Sequence, residues 1–226
     1  MKIYHAAIFD MDGTLTDTLA DLHVCMNEML ARYDFPPITF EQVKVFVGNG
    51  ARKFLTRSLP ADVAADENFV TEAFAQYNEI YIGNCVRHVK PYAGIMELLT
   101  ALAAKKIPLG ICTNKQHPAA IEIAEKILAP IEFGCISGDD PGQPRKPDPT
   151  RALACAKILG VEPADVAYFG DTAVDIDTAH NAGFLAVGVT WGFRPRAELV
   201  DARADIIVDS PQEILTRIEF GGSRSV

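Results

Sequence analysis

The chain has 226 residues, 49% of them hydrophobic, and a formal net charge of −9. At this length one large domain, or a domain with a smaller insert, is expected; the apolar fraction is enough for a substantial core and too high for disorder. The acidic balance argues against a general nucleic-acid binder, which needs a basic stripe, but it still allows a local basic pocket for an anionic small molecule.

From the N-terminus, one lysine is followed by the apolar run "YHAAIF" (4–9), which leads to Asp10. This is not the pattern of a signal peptide. No apolar run approaches ~18 residues, so no membrane span is predicted. The five cysteines are odd in number, lack C-x-x-C spacing and sit mostly in apolar stretches. They predict reduced core thiols in a cytoplasmic protein. Residues 17–87 contain no convincing strand. Leu19, Leu22, Met26, Met29, Leu30 and Tyr33 keep helical spacing, as do Phe69, Val70, Ala73, Phe74, Tyr77 and Tyr81. The segment reads as a helical insert with hinges at Asp17-Thr18 and His88–Pro91. Inside it, Gly48, Asn49 and Gly50 form either a plain turn or a loop whose backbone N–H groups face an anion. Arg52 follows in the first turn of a helix and is the side chain expected to meet a substrate's second negative charge.

Beyond the insert, "IPLGIC" (107–112), "DVAYFG" (165–170), "FLAVGV" (184–189) and "DIIV" (205–208) read as buried strands. Helical patterns at 95–104, 150–159 and 173–182 alternate with them, the last two stopped by Gly160 and Gly183. The tail "GGSRSV" is expected to fray. This rhythm predicts an α/β fold: a Rossmann-like parallel sheet core, residues 1–16 and 88–226, with an inserted all-helical cap at 17–87. In such sheets ligands bind at the carboxyl ends of the strands.

Polar residues fall at those ends: Asp10 and Asp12, Thr113, Lys146 in "RKPDP", and Asp171 with Asp175. Several carboxylates in one crevice repel one another and require a cation. Oxygen ligands with no Cys or His nearby point to a hard ion, Mg²⁺ above all. A lysine and a hydroxyl beside a Mg²⁺-bound carboxylate make a pocket for a phosphoryl group, where catalysis is positioning and charge neutralisation. One aspartate of the first pair can attack phosphorus, and the other can act as acid and base. Gly13 lets the chain turn close to the ligand.

"DMDGT", "CTN", "KPDP" and "GDTAVD" resemble, in order and at strand ends, the four motifs of the haloacid dehalogenase superfamily. The helical insert resembles that family's cap. The resemblance implies Asp10 as nucleophile and Asp12 as general acid/base. Thr113 and Asn114 would bind the phosphoryl group, near Gly13 and Thr14 of the first motif, and Lys146 would neutralise charge. Mg²⁺ would be held by the Asp10 carboxylate, the Asp12 backbone carbonyl and Asp171, with Asp175 orienting a bound water or Lys146. Within the superfamily, "VGNGARKFLTRSL", "CTNK", "SGDD" and "GVTWGF" make the chain most similar to phosphoglycolate phosphatases and their close relatives.

The resulting expectation is a Mg²⁺-dependent phosphomonoester hydrolase for a small phosphorylated metabolite, 2-phosphoglycolate first, as a monomer or weak homodimer. Four rivals follow from the same residues. A dehalogenase lacks the second acid of the first motif, which Asp12 supplies here. A pyrophosphatase or nucleotidase of the same subgroup is chemically closer. A sugar phosphomutase needs a cap that holds a bisphosphate. A non-enzymatic phosphate-binding module would normally leave one charged position vacant, and all are filled.

Overall fold

The computed structural model describes residues 2–222; the fraying expected of the tail lies, from residue 223 on, outside them. Strand β1 (Ile3–Tyr4) leads into β2 (Ala6–Phe9), and β3 (Thr16–Asp17) follows the first motif. Four helices come next: α1 (Leu19–Ala31), α2 (Phe40–Phe46), α3 (Ala51–Ser58) and α4 (Glu67–Ile82). Strand β4 (Lys90–Pro91) and helix α5 (Ile95–Ala104) return the chain to the sheet. The alternation then runs β5 (Leu109–Gln116), α6 (His117–Ile127), β6 (Cys135–Asp139), α7 (Thr150–Ile158), β7 (Val166–Gly170) and α8 (Ala173–Ala182). It closes with β8 (Leu185–Val189), α9 (Arg196–Asp201), β9 (Ile206–Val208), α10 (Pro211–Arg217) and β10 (Glu219–Phe220).

The main sheet has six parallel strands in the order β6-β5-β2-β7-β8-β9. Because successive side chains of a strand point to opposite faces, each strand feeds two cores. Ala7, Phe9, Ile111, Phe169 and Val187 pack under α5, α6 and α10. Ala6, Ile8, Cys112, Tyr168 and Ala186 pack under α7 and α8. Helix α8 begins with a capping box, Thr172 with Asp175, and ends at Gly183 with φ 73°, a left-handed stop that glycine takes without strain. All five cysteines are buried and free. Among the described residues no helix is long and apolar enough to cross a membrane.

The first strand of the motif series, β2, lies between β5 and β7. The chain winds outward from β2 in both directions, and the switch point opens a crevice at its carboxyl end. The helices α1–α4 build a separate core around Met26, Met29, Phe54, Tyr77 and Tyr81. The two crossings between this bundle and the sheet pair with each other: Thr16 opposes Pro91 and Asp17 opposes Lys90 in an antiparallel ribbon. Asp17, expected in a strandless segment, is thus the last residue of a short strand. The buried Asp21 carboxylate of α1 accepts the backbone N–H of His88 and Val89 and contacts His88 Nδ1 at 2.7 Å, which anchors the returning crossing.

Candidate active site

Asp10 continues the ladder of β2 by one residue, its N–H donating to Phe169 O at 2.9 Å. The chain then tightens. The N–H groups of Thr14, Leu15 and Thr16 all converge on Met11 O, and Gly13 N donates to Thr16 O. This turn needs a glycine. Gly13 has φ 81°, and a Cβ there would overlap the Asp171 carboxylate. The loop therefore presses its backbone onto Asp171, and Thr14 Oγ1 adds a bond to Asp171 Oδ1 at 3.3 Å.

Three carboxylates, Asp10, Asp171 and Asp175, bring one oxygen each within 4.8 Å of one another, all buried. Lys146 is the ammonium among them, 3.0 Å from Asp10 Oδ1 and 2.6 Å from Asp175 Oδ1. Burial alone would push this lysine down, but Asp10 and Asp175 outweigh it and raise it above the ordinary lysine value. The carboxylates show the complementary strain. Burial, then the charges of Asp175 and Asp10, push Asp171 well above the usual carboxylate range. Burial pushes Asp175 up to about 6 against the pull of Lys146. Burial leads both shifts, and the excess negative charge of three carboxylates around one ammonium adds to it.

That excess is the test for a metal. The Asp10 Oδ1 oxygen lies beside Lys146 but off the direction of a hydrogen bond, so it has no such partner. Asp171 receives only the N–H of Phe193, at 2.8 Å, and the long Thr14 contact. Asp175 is fully engaged, with one oxygen on Lys146 and the other on Thr172 N and Oγ1. An all-oxygen set with uncompensated charge fits a hard divalent cation, for which Asp10 and Asp171 are the available side chains. Asp175 is better placed to orient Lys146 than to bind metal.

Above this cluster the helical bundle closes a cavity of about 40 Å³ against the ends of β2 and β5. Its floor is Asp10, Asp12, Thr113 and Asn114; its cap wall includes Gly48, Gly50, Phe54, Tyr77 and Tyr81. Asn114 is a clamp. Its Oδ1 accepts from Lys146 N and Arg151 Nη2, and its Nδ2 donates to Lys146 O and, at 3.3 Å, to Gly48 O in the cap. Arg194 crosses in the same sense, donating to Val45 O and Val47 O.

Not every expected residue reaches the cavity. Arg52 does not. Its guanidinium bonds Glu67 Oε2 at 2.7 Å and Thr71 Oγ1 at 3.1 Å and lies over the Phe74 ring, so helical rotation has turned it toward α4. Asn49 borders the outer groove beside Arg57 and Arg194 rather than the inner cavity. Thr14 faces Asp171, and its carbonyl accepts Trp191 Nε1 at 3.0 Å. In Arg52's place the structure supplies Lys115. This ammonium lies 2.6 Å from Asp12 Oδ1, with its side chain only 2% exposed, over the Tyr81 ring. The signal was available: a lysine two residues after Thr113 in a buried strand must point to the same face as Thr113. Tyr77 and Tyr81, which read only as core by helical spacing, are its neighbours. Burial first, and the Asp12 charge among the lesser causes, push both phenols well above their ordinary value, so they remain hydrogen-bond donors.

The sequence model of the haloacid dehalogenase-like hydrolase family matches residues 7–189, and the chain belongs to that family. It is an enzyme of the phosphatase type, similar to phosphoglycolate phosphatases. A protein of that name from Chromobacterium violaceum is 30% identical over 223 residues, covering 98% of this chain and 99% of that protein. The N-acetylmuramic acid 6-phosphate phosphatase of Pseudomonas aeruginosa is 30% identical over 211 residues, covering 93% of this chain and 92% of that protein. Among solved structures, a predicted phosphoglycolate phosphatase from Haemophilus somnus superposes with a TM-score of 0.87 at 26% identity, covering 96% of this chain and 99% of that one.

Proposed function

We propose that the chain is a Mg²⁺-dependent phosphomonoester hydrolase whose substrate is a small metabolite, 2-phosphoglycolate before others, working in the cytoplasm as a monomer or weak homodimer. The observation that carries this reading is the carboxylate cluster beneath a cavity covered by the helical bundle. Asp10 faces that cavity beside the only ammonium of the cluster, Lys146. Asp10 attacks phosphorus, the ester P–O bond breaks, and Asp12 gives its proton to the departing oxygen. Asp12 then takes a proton from the water that hydrolyses the aspartyl phosphate. Thr113 lines the phosphoryl position, and Lys146 balances charge between Asp10 and the phosphoryl oxygens. Asp10, Asp171 and the Asp12 carbonyl would hold Mg²⁺, which would neutralise charge on the phosphoryl group.

The cap residues Phe54, Tyr77 and Tyr81 line the cavity opposite Asp10 and Asp12, so they would set which ester is accepted. The similarity to proteins named phosphoglycolate phosphatase favours a small ester over the nucleotidase and phosphomutase readings. Phosphate release from 2-phosphoglycolate, a hexose phosphate, a nucleoside monophosphate and inorganic pyrophosphate, with and without Mg²⁺, tests it. Release should be fastest from 2-phosphoglycolate and should vanish with chelator. A preference for pyrophosphate or the nucleotide would replace the reading.

Two further results are expected. Asp12→Asn should lower kcat by about 10²–10⁴-fold, the worth of general acid/base help, while substrate still binds. Undiminished kcat would remove Asp12 from the proton-transfer role. Asp171→Asn should abolish the rise in melting temperature that Mg²⁺ gives the wild-type protein, because a bound ion stabilises only the fold that holds it. An unchanged rise would take Asp171 out of the ligand set.

A further inference from the structure

The phenol hydroxyls of Tyr77 and Tyr81 are buried, and neither has a hydrogen-bond partner. They stand one helical turn apart on α4, with rings stacked at 5.7 Å, and both line the cavity above Asp12. An orphaned buried hydroxyl is costly, so two on one wall call for an explanation other than packing. The third polar group there is Lys115. It has three protons to donate, and its one hydrogen bond to a carboxylate is to Asp12, at 2.6 Å.

We propose that Tyr77 Oη, Tyr81 Oη and Lys115 Nζ form a carboxylate-binding subsite that selects the non-reacting end of the substrate. The inference rests on the phosphatase reading above and assigns its specificity. Two O–H donors and one ammonium ask for an acceptor-only anion with several lone pairs, which a carboxylate supplies. A cationic group would be repelled by Lys115, and an apolar group would leave both hydroxyls unpaired. Lys115 sits between Asp12 and the subsite, so it also screens the substrate's carboxylate from the aspartate that must exchange protons at the phosphoryl end.

The test compares 2-phosphoglycolate with ethyl phosphate, an ester of similar size that lacks the carboxylate. The wild-type protein should prefer 2-phosphoglycolate in kcat/KM. Tyr77→Phe and Tyr81→Phe should each cut that preference by about ten- to a hundredfold, the worth of a hydrogen bond to a charged group. The melting temperature should hold or rise, since each change removes an unpaired buried hydroxyl. A preference unchanged in the double variant, or no preference in the wild type, overturns the subsite. So does a melting temperature that falls in both variants, because the hydroxyls would then be structural. If neither ester releases phosphate with Mg²⁺, the phosphatase reading fails. Calorimetry on Asp10→Asn then decides the subsite alone: tighter binding of 2-phosphoglycolate than of ethyl phosphate, lost in Tyr81→Phe, supports it, and equal binding refutes it.

Discussion

Asp10→Asn is expected to abolish turnover, lowering kcat on the order of 10⁴-fold or more, as loss of a covalent nucleophile does in other enzymes. The substitution is nearly isosteric. The backbone N–H of residue 10 keeps its bond to Phe169 O, and the strand keeps its place between β5 and β7. What changes is chemistry. An amide oxygen is a poor nucleophile toward phosphorus, and a neutral group is a poorer ligand for a hard cation. The measurement is acid quench during turnover followed by peptide mapping. Wild-type protein should carry acid-stable, base-labile phosphate on the peptide containing Asp10, and the variant should carry none. Phosphate trapped on another side chain would move the nucleophile, and full activity in the variant would end the covalent mechanism.

The part of the fold that holds Asp10 was legible because a parallel sheet buries its strands on both faces. Each of β2, β5, β7, β8 and β9 therefore appears as a short apolar run ending in a polar residue. The strand that escaped, β6, is an edge strand of sequence "CISGD", half-exposed, with a glycine and an acid inside its span. Such a strand carries no apolar run to read. Gly138 is there because the backbone of His117 passes against it, a constraint that exists only once β6 lies beside β5. The candidate site was legible for a related reason: Asp10, Thr113 and Asp171 each come directly after an apolar run, where a polar residue stands out. The cap was legible as helices and not as a binding surface. Arg52 is one helical position away from Ala51, which does line the cavity, so the expected cation was misplaced by the rotation of a single helix. Tyr77 and Tyr81 keep the same spacing whether their hydroxyls meet solvent, a partner or a ligand. Only the packing of α4 over the end of β5 distinguishes these cases.

Lys146→Met should separate the structural role of this lysine from its chemical one. Its ammonium, 2% exposed, is shared by Asp10 and Asp175 and donates as well to Tyr168 Oη at 3.1 Å. Removing it leaves buried carboxylates facing one another, and breaking a buried pair from one side costs about 3–5 kcal/mol. The metal-free variant should therefore melt well below wild type, and Mg²⁺ should recover part of the loss by supplying positive charge to Asp10 and Asp171. Activity should not recover with it. At saturating Mg²⁺, kcat should still fall by about 10²–10³-fold, the usual effect of removing a fixed charge from a developing anion. The double variant Lys146→Met/Asp175→Asn makes the distinction sharp. With one negative charge gone and the Thr172 capping contacts still available to the amide, stability should return toward wild type, while kcat stays at the level of the single variant. Recovery of both together would mean that Lys146 acts on the reaction only by holding the fold. Recovery of stability alone would assign its charge to the phosphoryl group, with Asp175 as the residue that aims it.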